Sequence, residues 1–143
     1  MPKQAQGAQL NKNPSLPEGD PKAGEELALL VAEAGLDKKA GRIEIIDVRG
    51  KVDYTDYVVV MSGRSDRQVA AIARGIEEDL KLKYGTRCSG VEGLPQGNWV
   101  LLDFGDVVVH IFHQDTRGFY DIEGLWLDAK RVEFEGQQAD EGF

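Results

Sequence analysis

The sequence predicts an α/β domain, in the α+β sense, with a mixed five-stranded sheet flanked by helices. Five strand-length runs rich in β-branched and aromatic residues occur at 42–48, 56–62, 86–94, 98–104 and 107–112. A long helical pattern at 63–85 interrupts the strands, and a shorter pattern at 115–130 follows them. Strands and helices interspersed in this way pack as layers around one core.

Each helix has its own start signal. Asp20-Pro21 combines a capping residue with proline at the first helical position, ahead of the spaced apolar residues Leu27, Leu30, Val31 and Ala34. In 63–85, Ser65 and Gln68 form a predicted capping box, and Gly85 is placed to end the helix. For 115–130, Asp115 or Thr116 is the expected cap, and Phe119, Ile122 and Trp126 share one predicted face.

Length and composition indicate a single soluble domain. The chain has 143 residues, 41% of them hydrophobic, and no apolar run of membrane-spanning length. We expect the domain at 20–135 and disordered tails at 1–19 and 136–143, where large apolar residues are few. The N-terminus lacks the apolar segment of a secretory signal, and Cys88 is the only cysteine, so we expect a cytoplasmic protein without disulfides.

The charge balance bears on the partner. The formal net charge is −8, the wrong sign for a protein that neutralises phosphates, so direct DNA binding is not expected, although a local basic patch stays open. An acidic chain is drawn instead to a basic surface or a small molecule.

The segment 99–112 is predicted to be a β-hairpin that turns at Gly105-Asp106. In this register Phe104 faces Val107 on one wholly apolar face of the sheet. The other face pairs Trp99 with Phe112, Leu101 with His110, and Asp103 with Val108. This mixed face suits the centre of an interface. A covering helix, with Trp99 in the core and His110 as an internal polar group, fits it equally well.

Residue patterns give little support for catalysis. Gly63-Arg64-Ser65-Asp66 could hold a phosphate at a helix start, but Arg67-Gln68 stand where a second metal-binding aspartate would be needed. A helix cap explains Ser65 more simply. No base or nucleophile elbow accompanies Ser65 or Cys88, and no ligand spacing surrounds His110 and His113. We therefore expect a non-enzyme without a cofactor or metal.

Four strings in order resemble the ribosomal silencing factor (RsfS, Iojap-like) family: DKKAGRIEIIDVRG, DYVVVMSGRSDRQVAAIA, GVEGLPQGNWVLLDFGDVVVHIF and TRGFYDIEGLW. The resemblance implies a nucleotidyltransferase-like topology without the catalytic carboxylates. It also implies binding to the large ribosomal subunit through ribosomal protein uL14, which blocks subunit joining and represses translation under nutrient limitation. Large-subunit assembly, a degenerate nucleotide-binding module at 63–67 and a homodimer stay open.

The partner-binding residues follow from the hairpin register together with this resemblance. We expect Trp99, Leu101, His110 and Phe112 at the apolar centre of the contact, and Asp103, Asp106 and Glu92 opposite basic residues of the partner. Tyr120 lies off the buried helix stripe and can reach a partner, whereas Trp126 belongs to the core.

Overall fold

The architecture is a six-stranded sheet with helical structure on both faces. The computed structural model describes residues 23–134. The elements in chain order are α1 (Ala23–Asp37), β1 (Gly41–Asp47), β2 (Tyr57–Gly63), α2 (Asp66–Tyr84), β3 (Gly90–Glu92), β4 (Trp99–Asp103), β5 (Val107–His113), α3 (Gln114–Tyr120), a 3₁₀ helix (Ile122–Trp126) and β6 (Arg131–Val132). Both predicted tails, and the predicted helix start at Asp20-Pro21, lie outside the described residues.

The strand order is β3-β4-β5-β2-β1-β6. β2 and β5 run parallel, and the other neighbouring strands run antiparallel, so the α/β class and the mixed sheet are confirmed. The predicted number of strands is wrong by one. β6 contains only two residues, which pair with Ile45 and Ile46 of β1, and so short a strand has no periodicity of its own in the sequence.

The hairpin has the predicted register. Trp99 pairs with Phe112, Leu101 with His110, and Asp103 with Val108. At the turn, the Phe104 N–H donates to the Val107 carbonyl over 2.9 Å. Gly105 has φ of +90°, a conformation that a residue with a side chain adopts only under strain.

Two apolar cores lie on opposite faces of the sheet. The larger one places the stripes of α1 and α2 against one face of the central strands, including Val100 and Leu102 of β4. On the other face, Val58, Val60 and Phe112 pack with Trp126 of the 3₁₀ helix and with Ile122. The side of the hairpin that faces α1 and α2 is internal, as predicted, except for the partly exposed Phe104 at the turn, and its mixed side is covered in part.

The start of α2 confirms Ser65 as the cap. Its Oγ accepts from the Gln68 N–H over 3.1 Å, and the Gln68 side chain in turn accepts from the Arg64 N–H over 2.6 Å, one residue earlier than in a standard capping box. At the other end, Gly85 is left-handed, with φ of +67°. Within residues 23–134, no helix is both long and apolar enough to cross a membrane.

The predicted single helix at 115–130 is wrong. α3 stops at Tyr120 because Asp121 takes a left-handed conformation, with φ of 48°, and the chain continues as the 3₁₀ helix. The cap is His113, whose side chain accepts from the Asp115 N–H, and not Asp115 or Thr116. The break leaves Ile122 and Trp126 against the sheet and turns Phe119 outward, so the three residues do not share one buried face.

Candidate partner-binding surface

An aromatic cluster of Trp99, His110, Phe112 and Tyr120 occupies the mixed side of the hairpin. The Trp99 ring stacks on Phe112 with centroids 4.8 Å apart, and Tyr120 of α3 lies 4.7 Å from Trp99 on centroids. The indole Nε1–H of Trp99 donates to Nδ1 of His110 over 3.0 Å. Cross-strand packing and this hydrogen bond together fix the orientation of the Trp99 ring.

Burial divides the cluster. Phe112 is 0% exposed and His110 5%, because α3 and the 3₁₀ helix cover this part of the sheet, whereas Trp99 is only half-buried. The expectation that His110 and Phe112 contact a partner directly is therefore wrong. Both residues hold Trp99 in place, Phe112 by ring stacking and His110 by the hydrogen bond. The exposed part of the Trp99 ring is what a partner can reach.

The electrostatics of His110 agree with this supporting role. Burial lowers the pKa of His110 to about 4, against a smaller opposite effect of the Glu123 carboxylate. The imidazole is thus neutral at physiological pH. Because its Nδ1 accepts from Trp99, the ring proton is on Nε2.

The β3–β4 edge of the same face stays open. Trp99, Leu101 and Asp103 alternate along β4 and so point to one side, and Glu92 of β3 pairs with Leu101 on that side. Leu101 and Asp103 are half-buried, and Glu92 is exposed. Tyr120 is 49% exposed. Five residues form what we call the acid–aromatic surface: Trp99, Leu101, Asp103, Glu92 and Tyr120.

Asp106 does not belong to this surface. Its side chain lies beside Gly24 of α1, on the face of the sheet that α1 and α2 cover. Burial and the nearby Asp56 carboxylate raise the pKa of Asp106. The turn carries the exposed Asp106 side chain to the opposite side of the sheet from Trp99, and the place of Asp106 in the contact stays a prediction.

Three apolar residues next to or beyond Tyr120 are exposed, which the sequence does not predict. Phe119 is 81% exposed and meets Tyr120 edge-on at 5.1 Å, while Leu125 and Leu127 are each at least 70% exposed. The helical spacing predicts Phe119 on a buried stripe, and that prediction is wrong. Gly118 and Gly124, two poor helix formers within this short segment, were the available signal against a continuous helix.

Arg117 is a further residue that the sequence analysis does not single out. Its side chain is buried and donates to Glu123 over 2.7 Å, to the Ser62 hydroxyl over 2.8 Å and to the Arg42 carbonyl over 2.7 Å. Burial lowers the pKa of Arg117, and the Glu123 carboxylate counters that effect. The bonds join α3 and the 3₁₀ helix to the ends of β1 and β2, and so position the segment that carries Tyr120.

The other candidate sites have ordinary structural explanations. Two backbone N–H groups near the start of α2 already donate to Ser65 and Gln68, which leaves fewer donors for a phosphate. The Cys88 thiol donates to the Gly90 carbonyl, and burial raises its pKa, which disfavours the reactive thiolate. In the part of the chain that the structure describes, no three His, Cys, Asp or Glu side chains are grouped to hold a metal ion.

Comparison with known proteins shows which family this chain resembles. Residues 21–142 match the model of the family described as "Ribosomal silencing factor during starvation". A protein of Halalkalibacterium halodurans named ribosomal silencing factor RsfS is 40% identical over 112 residues, which are 78% of this chain and 95% of the relative. A crystal structure of a protein from Chromobacterium violaceum superposes with a TM-score of 0.69 at 36% identity, covering 81% of this chain and 95% of that one.

A more distant relative comes from Mus musculus. This protein, named mitochondrial assembly of ribosomal large subunit protein 1, is 32% identical over 94 residues, 62% of this chain and 40% of the relative. Since the family model spans most of the sequence, from the start of α1 to beyond β6, this chain belongs to the ribosomal silencing factor family.

Proposed function

We propose that this protein binds the large ribosomal subunit through ribosomal protein uL14 and prevents the small subunit from joining. The acid–aromatic surface carries the proposal. It combines the half-buried indole of Trp99, held by Phe112 and His110, with Asp103 and Glu92 on one open face. An aromatic anchor inside a charged rim is the arrangement that concentrates binding energy in protein interfaces.

Charge supports a ribosomal protein as the partner. Ribosomal proteins are generally basic, and the net charge of −8 attracts this chain to such a surface. In this role Asp103 and Glu92 face cations of uL14, and Trp99, Leu101 and Tyr120 fill its apolar contact. Because the protein acts on the ribosome in this proposal, it is located in the cytoplasm wherever the ribosome is cytoplasmic.

Repression then requires no reaction and no cofactor. If the factor and the small subunit use overlapping areas of the large subunit, each lowers the affinity of the other by the same factor. Translation falls in proportion to the large subunits that the factor occupies, which fits a response to nutrient limitation.

The test uses purified protein and separated ribosomal subunits. We expect the protein to sediment with the large subunit and not with the small one, and to reduce the fraction of joined ribosomes when it is added before the small subunit. Cross-linking from Asp103→Cys should reach uL14. Absence of the protein from the large-subunit fraction would contradict the proposal.

A role in large-subunit assembly is the second candidate, favoured by the name of the mouse relative. The two roles differ in what depletion does to a growing cell. Loss of an assembly factor leads to incomplete large subunits, whereas loss of a silencing factor leaves complete subunits that join normally and fails only when nutrients are withdrawn.

A further inference from the structure

The segment 64–87, which contains α2 and the residues that flank it, has a net positive charge, unlike the other described residues. Between residues 64 and 87 there are six Lys or Arg against four Asp or Glu, whereas the other described residues contain eight against sixteen. Because α2 packs with α1 on the face of the sheet opposite to Phe112 and Trp126, this basic segment lies across the sheet from the acid–aromatic surface. A partner on one surface leaves the other free.

Three of the four cations of α2 are arranged along one line. Arg67, Arg74 and Lys81 are exposed and recur at intervals of seven residues, so they share a face of the helix. At a rise of about 1.5 Å per residue, the line is about 21 Å long. Such a length suits a polymer better than a small anion.

A groove beside this line collects three of the positive charges. It has a volume of about 360 Å³ and is lined by Arg74, Glu77, Glu78, Lys81, Arg87 and Cys88, which we call the cationic groove. Within residues 23–134, Arg74, Lys81 and Arg87 form no ion pair, although the glutamates line the same groove. Unpaired cations on a protein of pI 4.8 are open to an external anion.

We propose that the cationic groove and the line along α2 bind the phosphate backbone of RNA, as a second contact with the ribosome besides the proposed contact with uL14. The inference rests on the proposed function only for the choice of RNA as the polyanion. None of the described residues that line the groove is aromatic and able to stack a base, so the contact is made to phosphates and is independent of sequence.

The two glutamates set the strength of this contact. Glu77 and Glu78 repel phosphate and cancel part of the field of Arg74 and Lys81, so binding of an isolated RNA is weak and sensitive to salt. A weak second contact adds affinity chiefly once the first surface is bound, because the second step is then intramolecular.

The test is a titration of the ¹⁵N-labelled full chain with a short RNA duplex, followed by amide chemical shifts. We expect shifts that cluster on α2 and residues 86–88. The logarithm of the association constant should fall by about 0.9 per neutralised phosphate for each tenfold rise in salt between about 50 and 200 mM. A triple variant replaces the three groove cations by Gln; its changes are Arg74→Gln, Lys81→Gln and Arg87→Gln. We expect its plot of the logarithm of the association constant against the logarithm of the salt concentration to be less steep, with a slope smaller in magnitude by about two to three.

A matched control removes the same charge elsewhere and should leave the shifts unchanged; its substitutions are Lys39→Gln, Lys51→Gln and Lys130→Gln. The Trp99→Ala variant should also keep them, and since the probe contains no ribosomal protein, the result is independent of the contact with uL14. The proposal is overturned if RNA causes no shifts on α2, or if the groove variant responds like the wild type. It is likewise overturned if inorganic pyrophosphate alone reproduces the shifts and displaces RNA at equal phosphate concentration.

Discussion

Trp99 and His110 lie on neighbouring strands, and the 3.0 Å hydrogen bond from the Trp99 indole to His110 Nδ1 is possible only while His110 is neutral. The hydrogen bond holds the Nε1 edge of the indole against the buried His110, while the ring as a whole stays partly exposed to solvent. Trp99 is thereby fixed before any partner arrives, which reduces the entropy that binding costs.

Acid should weaken the fold through His110. Its pKa is about 4 in the folded protein and 6.5 when unfolded, so the unfolded state binds more protons between these values and stability falls as the pH drops below about 6.5. Between pH 7 and pH 5, we expect this residue to cost about 2 kcal/mol in free energy of unfolding. Urea denaturation at both pH values measures the loss, and a His110→Gln variant should lack this part of it. An equal loss in both proteins would show that His110 does not titrate as described.

Asp103 stabilises the hairpin turn by a hydrogen bond, and in the proposed contact its negative charge attracts the partner. The substitution Asp103→Asn tests the charge without removing the hydrogen bond. The Oδ1 atom of Asp103 accepts from the Gly105 N–H over 2.8 Å, and Asp103→Asn keeps this acceptor while it removes the charge. We expect the variant to unfold at the same urea concentration as the wild type but to bind the large subunit several-fold more weakly, with a slower association rate and less dependence on salt. Association kinetics over a series of salt concentrations check this. Unchanged kinetics and salt dependence would remove Asp103 from the contact.

The buried pair of Arg117 and Glu123 should be expensive to break. Glu123→Gln leaves the Arg117 charge without its carboxylate in a buried position, and we expect a loss of about 3 kcal/mol in the free energy of unfolding. The exposed pair of Lys51 and Asp128 is the matched control, where Asp128→Asn should cost less than about 0.5 kcal/mol. Urea denaturation compares the two. Equal small losses would mean that Arg117 does not hold α3 and the 3₁₀ helix as described.

The hairpin could be predicted from the sequence because the residues that determine its turn and register all lie within 99–112. Gly105 permits the turn, and the alternation from Trp99 to Asp103 settles which side chains share a face, so the register follows from residues close together in the chain. The α2 boundaries follow in the same way from Ser65 and Gly85.

What the sequence could not reveal depends on contacts between distant residues. β6 forms because Arg131 and Val132 pair with Ile46 and Ile45 of β1. α3 ends because Asp121 adopts a left-handed backbone conformation, close to the buried Arg117. These contacts bring Trp126 over Phe112, and so decide that Phe112 and His110 are internal while Trp99 keeps an open edge. No periodicity within 99–112 carries that information.

The most direct test of the proposed docking surface is the dissociation constant of the large subunit for the Trp99→Ala variant, with Leu82→Ala as control. Leu82 is an apolar residue that is more exposed than Trp99, at 70%, and it lies on α2 across the sheet, off the helix face that carries Arg74 and Lys81. We predict that the folded Trp99→Ala variant binds at least about thirtyfold more weakly, a loss of about 2 kcal/mol, while Leu82→Ala binds like the wild type. Wild-type affinity of a correctly folded Trp99→Ala variant would contradict the proposed surface.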